Sequence, residues 1–385
     1  MIVTNRDNCT GCELCKSICP KSAIVMMPDK EGFLYPEISN ELCVGCGLCS
    51  NNCPSNIENH MSSENKANVY AVKLKNDEDR LKSSSGGMFT AISDYVLKHD
   101  GVVYGAVFDE NFNVCHQRAQ DVQVRNKMRG SKYTQSRIYN AYELVKNDLN
   151  AGRYVLFTGT ACQCVALKKY LDKTDCSKLF VCDLICEGTP SPLVFKSYLN
   201  FISSKLKSDV TEVSFRCKET GWNDRKMYIG THKGAYSNIW YDDPFYQLFS
   251  RNIMLRPSCH KCLYANEWRV GDITIGDFWG IDKVNPEFAD DKGVSLVLVN
   301  TCKGEKLFDE VKESFTCSKQ TMEQAKKRQL NLRQPSPKGC KRDEFWGDFC
   351  NRGIEYVLKK YTTYGLWVKV KRKIKKLLKT VFNRI

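Results

Sequence analysis

Four cysteines spaced two, two and three residues apart, with a proline after the last, occupy Cys9 to Pro20 ("CTGCELCKSICP"). The same spacing returns 34 residues later as "CVGCGLCSNNCP", Cys43 to Pro54. Soft thiolates suit iron–sulfur iron, and three of them in one tight loop wrap a cubane corner by corner. The fourth, before the proline, ligates the other cluster in two-cluster modules. One 4Fe-4S cluster therefore falls to Cys9, Cys12, Cys15 and Cys53, and a second to Cys43, Cys46, Cys49 and Cys19. Gly11, Gly45 and Gly47 let backbone N–H groups approach the sulfides. Structural zinc, the competing use of cysteine, pairs C-x2-C knuckles and does not place three cysteines in one loop.

A chain of 385 residues is too long for such a module alone, and it can bury one large core or two moderate ones besides. Its 42% hydrophobic and 26% charged residues are those of a globular protein. Residues 1–8, "MIVTNRDN", lead straight into the first cysteine with no basic and apolar leader, so the 21 cysteines point to a reducing cytosol and metal ligation. No apolar run approaches the roughly 18 residues of a membrane span. The net charge of +14 is local: ten lysines and arginines and no acid lie in 359–385, leaving +4 for the rest.

Beyond a polar linker (55–68), short apolar runs alternate with helical stretches. Strands are expected at 69–74, 101–108, 153–160, 178–186, 210–216, 272–278 and 294–300. Helices are expected at 83–99, 136–152, 161–171 and 191–206. That alternation implies βαβ units and a partly parallel sheet. The expected fold is α+β to α/β: a small two-cluster ferredoxin-like module (1–60), then a larger mixed α/β core (61–152 and 153–325). A basic tail (326–385) ends in an amphipathic helix. In "LWVKVKRKIKKLLKTVFNRI" (366–385), Trp367, Val370, Ile374, Leu377, Leu378 and Val381 recur at helical spacing opposite lysines. Such a helix suits an anionic membrane surface, each basic residue there contributing on the order of 1 kcal/mol. A solvated or packed terminal helix is the plainer use. One short basic tail is a poor nucleic-acid footprint.

A second group of cysteines stands further along. Cys162 follows the strand-like "RYVLFTGT" and Cys186 ends "KLFVCDLIC". Consecutive βα units of a parallel sheet bring such strand ends to one edge, where α/β proteins place their sites. "RPSCHKC" (256–262) adds Cys259 and Cys262, completing a four-thiolate shell. Cys164 and Cys182 compete for those positions. Ordinary buried cysteines, or a zinc knuckle at Cys259 and Cys262, are the alternatives.

"SSSGGMFTAI" (83–92), "MRGSKYTQS" (128–136), "LFTGTACQCVALKKYL" (156–171), "LICEGTPSPLVFKSYL" (184–199), "FRCKETGW" (215–222), "LRPSCHKCLYAN" (255–266) and "GDITIGDFWG" (271–280) occur in that order. Over about residues 1–320 the chain resembles the coenzyme F-420 hydrogenase/dehydrogenase beta-subunit family. The resemblance implies an iron–sulfur flavoprotein oxidoreductase that passes electrons between clusters and a hydride-exchanging partner. It also implies a third 4Fe-4S cluster on Cys162, Cys186, Cys259 and Cys262, and bound FAD. Bacterial members add a link to cell-surface polysaccharide metabolism. Where the family often has Cys-His-Gly, this chain has Cys186-Glu187-Gly188.

No G-x-G-x-x-G follows a strand, so a Rossmann-type site is unsupported. The candidate FAD contacts are Gly86 and Gly87, opening a helix whose N–H groups favour a pyrophosphate, and Gly130, Ser131, Lys132 and Tyr133. Lys132 would place positive charge near the flavin's N1 side. No histidine stands in a recognisable catalytic setting; His260 alone lies near a proposed cofactor, and the acid–base residues are unassigned. The expected partners are a ferredoxin-like or dehydrogenase protein that gives or takes electrons, and a two-electron small molecule. Rival functions are a non-catalytic electron-transfer subunit and a redox-sensing binding protein. The expected location is the cytoplasm, with the tail a candidate anchor at the inner face of the membrane.

Overall fold

A computed structural model describes residues 3–56 and 67–364. The strands are β1 (Ile24–Pro28), β2 (Leu34–Ile38), β3 (Asn68–Leu74), β4 (Val102–Phe108), β5 (Val114–Ala119), β6 (Ser136–Arg137) and β7 (Val155–Thr160). They continue with β8 (Leu179–Leu184), β9 (Val210–Cys217), β10 (Lys226–Thr231), β11 (Gly234–Asn238), β12 (Ile273–Asp277), β13 (Ser295–Val299) and β14 (Phe315–Gln320).

In the N-terminal module each cysteine run ends in one turn of helix, Leu14–Ser17 and Leu48–Asn51, and the β1–β2 hairpin lies between them. The Asp29 carboxylate closes the hairpin turn by accepting from the Glu31 and Phe33 amides at 3.0 and 2.9 Å.

Nine strands form the main sheet in the order β14-β3-β13-β12-β8-β7-β4-β5-β6. Its centre, β12-β8-β7-β4, is parallel, and β5, β13, β3 and β14 add antiparallel flanks. The central strands are near-continuous apolar runs because helices cover both faces. Val103, Leu156 and Phe180 face the helices Met88–Lys98 and Cys302–Glu310. Val102, Tyr104, Val155, Phe157 and Val181 face Ala141–Asn150 and Ala161–Tyr170. Neighbouring residues take opposite faces, as the two-residue period of a strand requires. A second sheet, β11-β10-β9, is an antiparallel meander.

A further core joins the ends of the described chain. Phe33 and Tyr35 of the hairpin pack with the helix Pro192–Leu206, with Pro244–Ser250, and with Phe345, Trp346 and Phe349 of the helix Arg342–Tyr361. The described part of 326–385 is thus a packed element, since its aromatic residues find a hydrophobic core that charge counting does not reveal. Arg342 donates from Nη1 to Glu31 Oε1 at 3.0 Å and from Nη2 to Leu255 O at 2.9 Å, so it ties this helix to the hairpin. The amphipathic stretch 366–385 lies outside the described residues. Among those residues no helix is long and apolar enough to cross a membrane.

The start of the expected helix 136–152 is extended instead. Ser136–Arg137 adds a short parallel strand to β5, and the helix begins at Ala141. The Ser136 hydroxyl is held by His116 at 2.7 Å, which competes with helical geometry.

Candidate electron-transfer site

The eight N-terminal thiols sort into two groups, each around its own small cavity. Cys9, Cys12, Cys15 and Cys53 line one; Cys19, Cys43, Cys46 and Cys49 line the other. This is the crossed grouping that the spacing implies. The first group is sunk in the protein, with Cys9, Cys12 and Cys53 buried, while Cys46 of the second is exposed. Burial pushes the Cys12 thiol up to about 12, against the Leu14 amide, and the Cys162 sulfur adds to the rise.

The first run is bonded into the core. Glu13 Oε1 accepts from Arg137 Nε at 3.0 Å and from the Ile138 amide at 3.1 Å. Tyr142 Oη donates to Cys12 O at 3.0 Å and Gln163 O at 3.2 Å. Arg256 Nε donates to Cys9 O at 2.6 Å, and Gln135 Nε2 to Thr10 O at 3.3 Å.

β7 and β8 are parallel neighbours with Thr160 opposite Leu184, so Cys162 and Cys186 leave the same sheet edge at matching positions. The segment after Arg256 brings Cys259 and Cys262 to them. Burial, then the sulfurs of Cys259, Cys162 and Cys262, drives the Cys186 thiol well above its ordinary range. Backbone amides reach two of these sulfurs, Gly188 N to Cys186 at 3.4 Å and Thr189 N to Cys259 at 3.3 Å. The competitors turn away. The Cys164 thiol donates to Gly159 O at 3.7 Å and Cys182 O at 3.9 Å, and Cys182 packs in the core on the opposite face of the sheet. Among the described residues no three His, Cys, Asp or Glu donors converge on a point that would hold one metal ion.

The same sheet edge forms a wall of a cavity of about 280 Å³ at the carboxyl ends of β7, β8 and β12. Cys162, Cys186 and Thr10 line it together with residues 83–85, 87–89 and 128–136. Segments 83–85 and 128–136 are knit by Ser84 Oγ, which meets Ser131 Oγ at 2.9 Å and accepts from Ser131 N at 2.6 Å. Gly87 caps the helix Met88–Lys98 in left-handed geometry, φ 95°, placing the first helical amides at the cavity wall.

Of the predicted flavin contacts, Gly87, Gly130, Ser131, Lys132 and Tyr133 line this cavity. Gly86 does not. Its carbonyl accepts from Leu74 N at 2.8 Å, and a Cβ there would run into the Val72 carbonyl and the Ser295 amide. It is a glycine because the loop lies flat on the sheet. The Lys132 ammonium is also otherwise engaged. It donates to Met128 O, Arg129 O and Gly130 O at 3.3, 3.0 and 3.0 Å, and burial lowers its pKa to about 7. Its first role is to close its own loop.

Several residues in and behind the wall are given no role by sequence reading alone. Arg216 grips Asp277 with two hydrogen bonds at 2.8 and 3.0 Å, and Trp222 Nε1 donates to Asp277 Oδ1 at 2.9 Å. Burial opposes the charge on Arg216, and Asp277 outweighs it. Arg216 also reaches Tyr133 Oη at 3.1 Å and Ser84 O at 3.3 Å, so it braces both cavity segments. Lys218 Nζ donates to Ser85 O at 2.7 Å from below. Glu187 lies in the wall, its pKa raised by desolvation and Asp277 against Arg225 and Arg216. His116 stacks on Phe157 in the wall, and burial lowers its pKa to about 4. The neutral ring donates from Nε2 to Thr158 O at 3.0 Å and accepts from Ser136 at Nδ1. The bidentate geometry of Arg216 and Asp277 pairs "FRCKETGW" with "GDFWG", a contact between distant motifs that no local pattern encodes.

Residues 152–325 match the C-terminal family of the coenzyme F-420 hydrogenase/dehydrogenase beta subunit. Residues 8–57 match the 4Fe-4S dicluster domain. No curated protein matches the chain. One similar solved structure is described as a xenon derivatization of the F-420-reducing NiFe hydrogenase complex from Methanosarcina barkeri. It is 19% identical, covers 78% of this chain and 94% of its own, and has a TM-score of 0.47.

Proposed function

Because the chain belongs to the coenzyme F-420 hydrogenase/dehydrogenase beta-subunit family and carries a two-cluster 4Fe-4S domain, we propose that it is an electron-transfer oxidoreductase whose electrons are paired in the large cavity. In this reading Cys162, Cys186, Cys259 and Cys262 hold a third 4Fe-4S cluster, and the cavity holds FAD. The observation that carries it is the shared wall: Thr10 of the first cysteine loop, Cys162 and Cys186 line the same cavity as the glycine–serine segments. When bound, clusters pass single electrons, and a flavin exchanges one or two, so it matches them to a two-electron substrate.

The chain's own residues set the geometry. The amides at the helix start after Gly87 offer donors to an anion, and Ser84 and Ser131 add hydroxyls. Arg216 and Lys218 fix the two segments so that these donors stay in place. Cys162, Cys186 and Cys259 are half-buried, desolvation raises all three thiols, and ligation to metal would remove their protons. Glu187, protonated more readily than an ordinary glutamate, is the cavity's candidate proton carrier.

The outer cysteine set opens to solvent at Cys46, beside exposed Leu42, Val44 and Leu48. A partner protein would exchange electrons there, and they would run inward through the Cys9 set to the cavity, or back. Anaerobically purified protein is expected to contain about twelve irons, as three cubanes require, and to release FAD on denaturation. About eight irons without flavin would sink the reading in favour of a two-cluster carrier or sensor.

A further inference from the structure

Arg256 is fully buried, with 0% of its surface exposed. Its Nε donates to Cys9 O at 2.6 Å and its Nη1 to Gln135 Oε1 at 2.9 Å. Its Nη2 donates to Leu34 O at 2.9 Å and reaches Cys9 Sγ at 3.4 Å. The Tyr35 ring centroid lies 4.3 Å from its Cζ. Each oxygen that accepts from it is neutral. The other deeply buried arginines behave differently: Arg80, Arg125, Arg216, Arg269 and Arg342 each pair with a carboxylate. Among the described residues no carboxylate forms an ion pair with Arg256. A buried guanidinium without a counter-charge is costly, and hydrogen bonds to neutral groups offset only part of that cost.

Sulfur is the candidate that remains nearby. Arg256 touches Cys9 directly, and its carbonyl accepts from Cys259 N at 2.9 Å. Its own amide donates to Thr189 O at 3.0 Å, and Thr189 N in turn donates to Cys259 Sγ at 3.3 Å. The guanidinium therefore lies against the inner N-terminal cysteines, while the backbone of the same residue holds the segment that carries Cys259.

We propose that Arg256 is a positioning residue that serves as the counter-cation of the inner N-terminal cysteine set and makes that cluster easier to reduce than the outer one. The inference rests on the reading above that both N-terminal sets carry clusters. A cubane held by four thiolates is anionic and gains one more negative charge on reduction. A fixed cation with a donor on a ligand sulfur favours the reduced form, since net charge, sulfur hydrogen bonds and exposure set the potential. The outer set, open to water at Cys46, has a backbone amide on one sulfur, Ala23 N to Cys19 Sγ at 3.3 Å, and no such arginine among the described residues.

The test is an EPR-monitored redox titration of the anaerobic full-length protein with iron counted in each sample. In Arg256→Gln the oxidised-to-reduced ratio of the inner cluster at fixed potential should rise about tenfold, a shift of about 59 mV for one electron, with the outer cluster unmoved. Arg256→Lys should recover most of that loss. Gln135→Glu keeps the arginine and hands it a carboxylate, so it should move the inner cluster the same way by less. It also carries the test if Arg256→Gln does not fold. Clusters present in full and unmoved in both Arg256→Gln and Gln135→Glu, or in Gln135→Glu alone if the former is unfolded, would overturn the proposal. Wild-type protein with no inner-cluster signal would overturn the reading beneath it instead.

Discussion

Around the first cysteine run the protein is closed and polar; around the second it is open and apolar. Cys9, Cys12 and Cys53 are buried among hydrogen bonds to Arg137, Tyr142, Gln135 and Arg256. Near Cys46, Val44 is 62% exposed and Leu42 53%. The two runs also differ at one equivalent position. After each C-x2-C pair the chain takes a left-handed turn, at Glu13 with φ 61° and at Gly47 with φ 73°. Glycine takes that turn freely, whereas another residue loses roughly 1–2 kcal/mol. At Glu13 the loss is offset because the carboxylate accepts from Arg137 and Ile138. A duplicated module has thus been divided into a joint and an outlet, and the strained residue marks the joint.

The sharpest way to break this contrast is to delete one ligand from each half. Cys12→Ser should remove the inner cluster, about four irons, together with all delivery of electrons to the cavity, and should lower the thermal midpoint. Cys46→Ser should lose the same iron but keep the fold and accept electrons from a small dye. Equal loss of stability in the two variants would erase the distinction. Next in size, Glu13→Gly should destabilise the protein by about 1–3 kcal/mol in urea unfolding, because a buried amide and guanidinium lose their acceptor. Glu13→Gln should lose less, since it still accepts from Ile138. Gly47→Glu should cost about 1–2 kcal/mol, as the nearest atoms a Cβ there would meet belong to the Asn51 side chain, at 3.3 Å and beyond. Stabilisation by that change would show that the turn does not need glycine. The smallest effect on stability, within about 0.5 kcal/mol, is expected for Val44→Asp. That variant should still slow electron exchange with a protein donor in stopped-flow measurements while leaving exchange with a small dye unchanged.

Much of the architecture is legible in the chain. All seven expected strands form, from β3 to β13, and six of them lie in the main sheet, where a strand covered on both faces is an apolar run. The strands that escape notice are edge or polar ones. β5, "VCHQRA", buries His116 on the same face as Val114, and β14, "FTCSKQ", borders β3 alone. The cysteine groupings could be read because ligand spacing is local. The braces of the cavity could not, since Arg216 meets Asp277 across 61 residues and Arg256 meets Cys9 across 247. Gly86 shows the opposite error, and Lys132 lines the cavity while also closing its own loop. Residue types that suit a flavin are also the types that let a loop lie flat and close on itself.

The clamp between Glu31 and Arg342 has a consequence in time. The two residues are 311 positions apart. At roughly 5–20 residues per second, synthesis leaves the carboxylate waiting on the order of 15 to 60 s for its guanidinium. The helix Arg342–Tyr361, with its share of the aromatic core around Phe33, arrives only then. The hairpin, among the first parts of the protein to be made, thus waits for the end of synthesis for its last clamp, long after Gln135, Arg137 and Tyr142 are present to hold the first cysteine run.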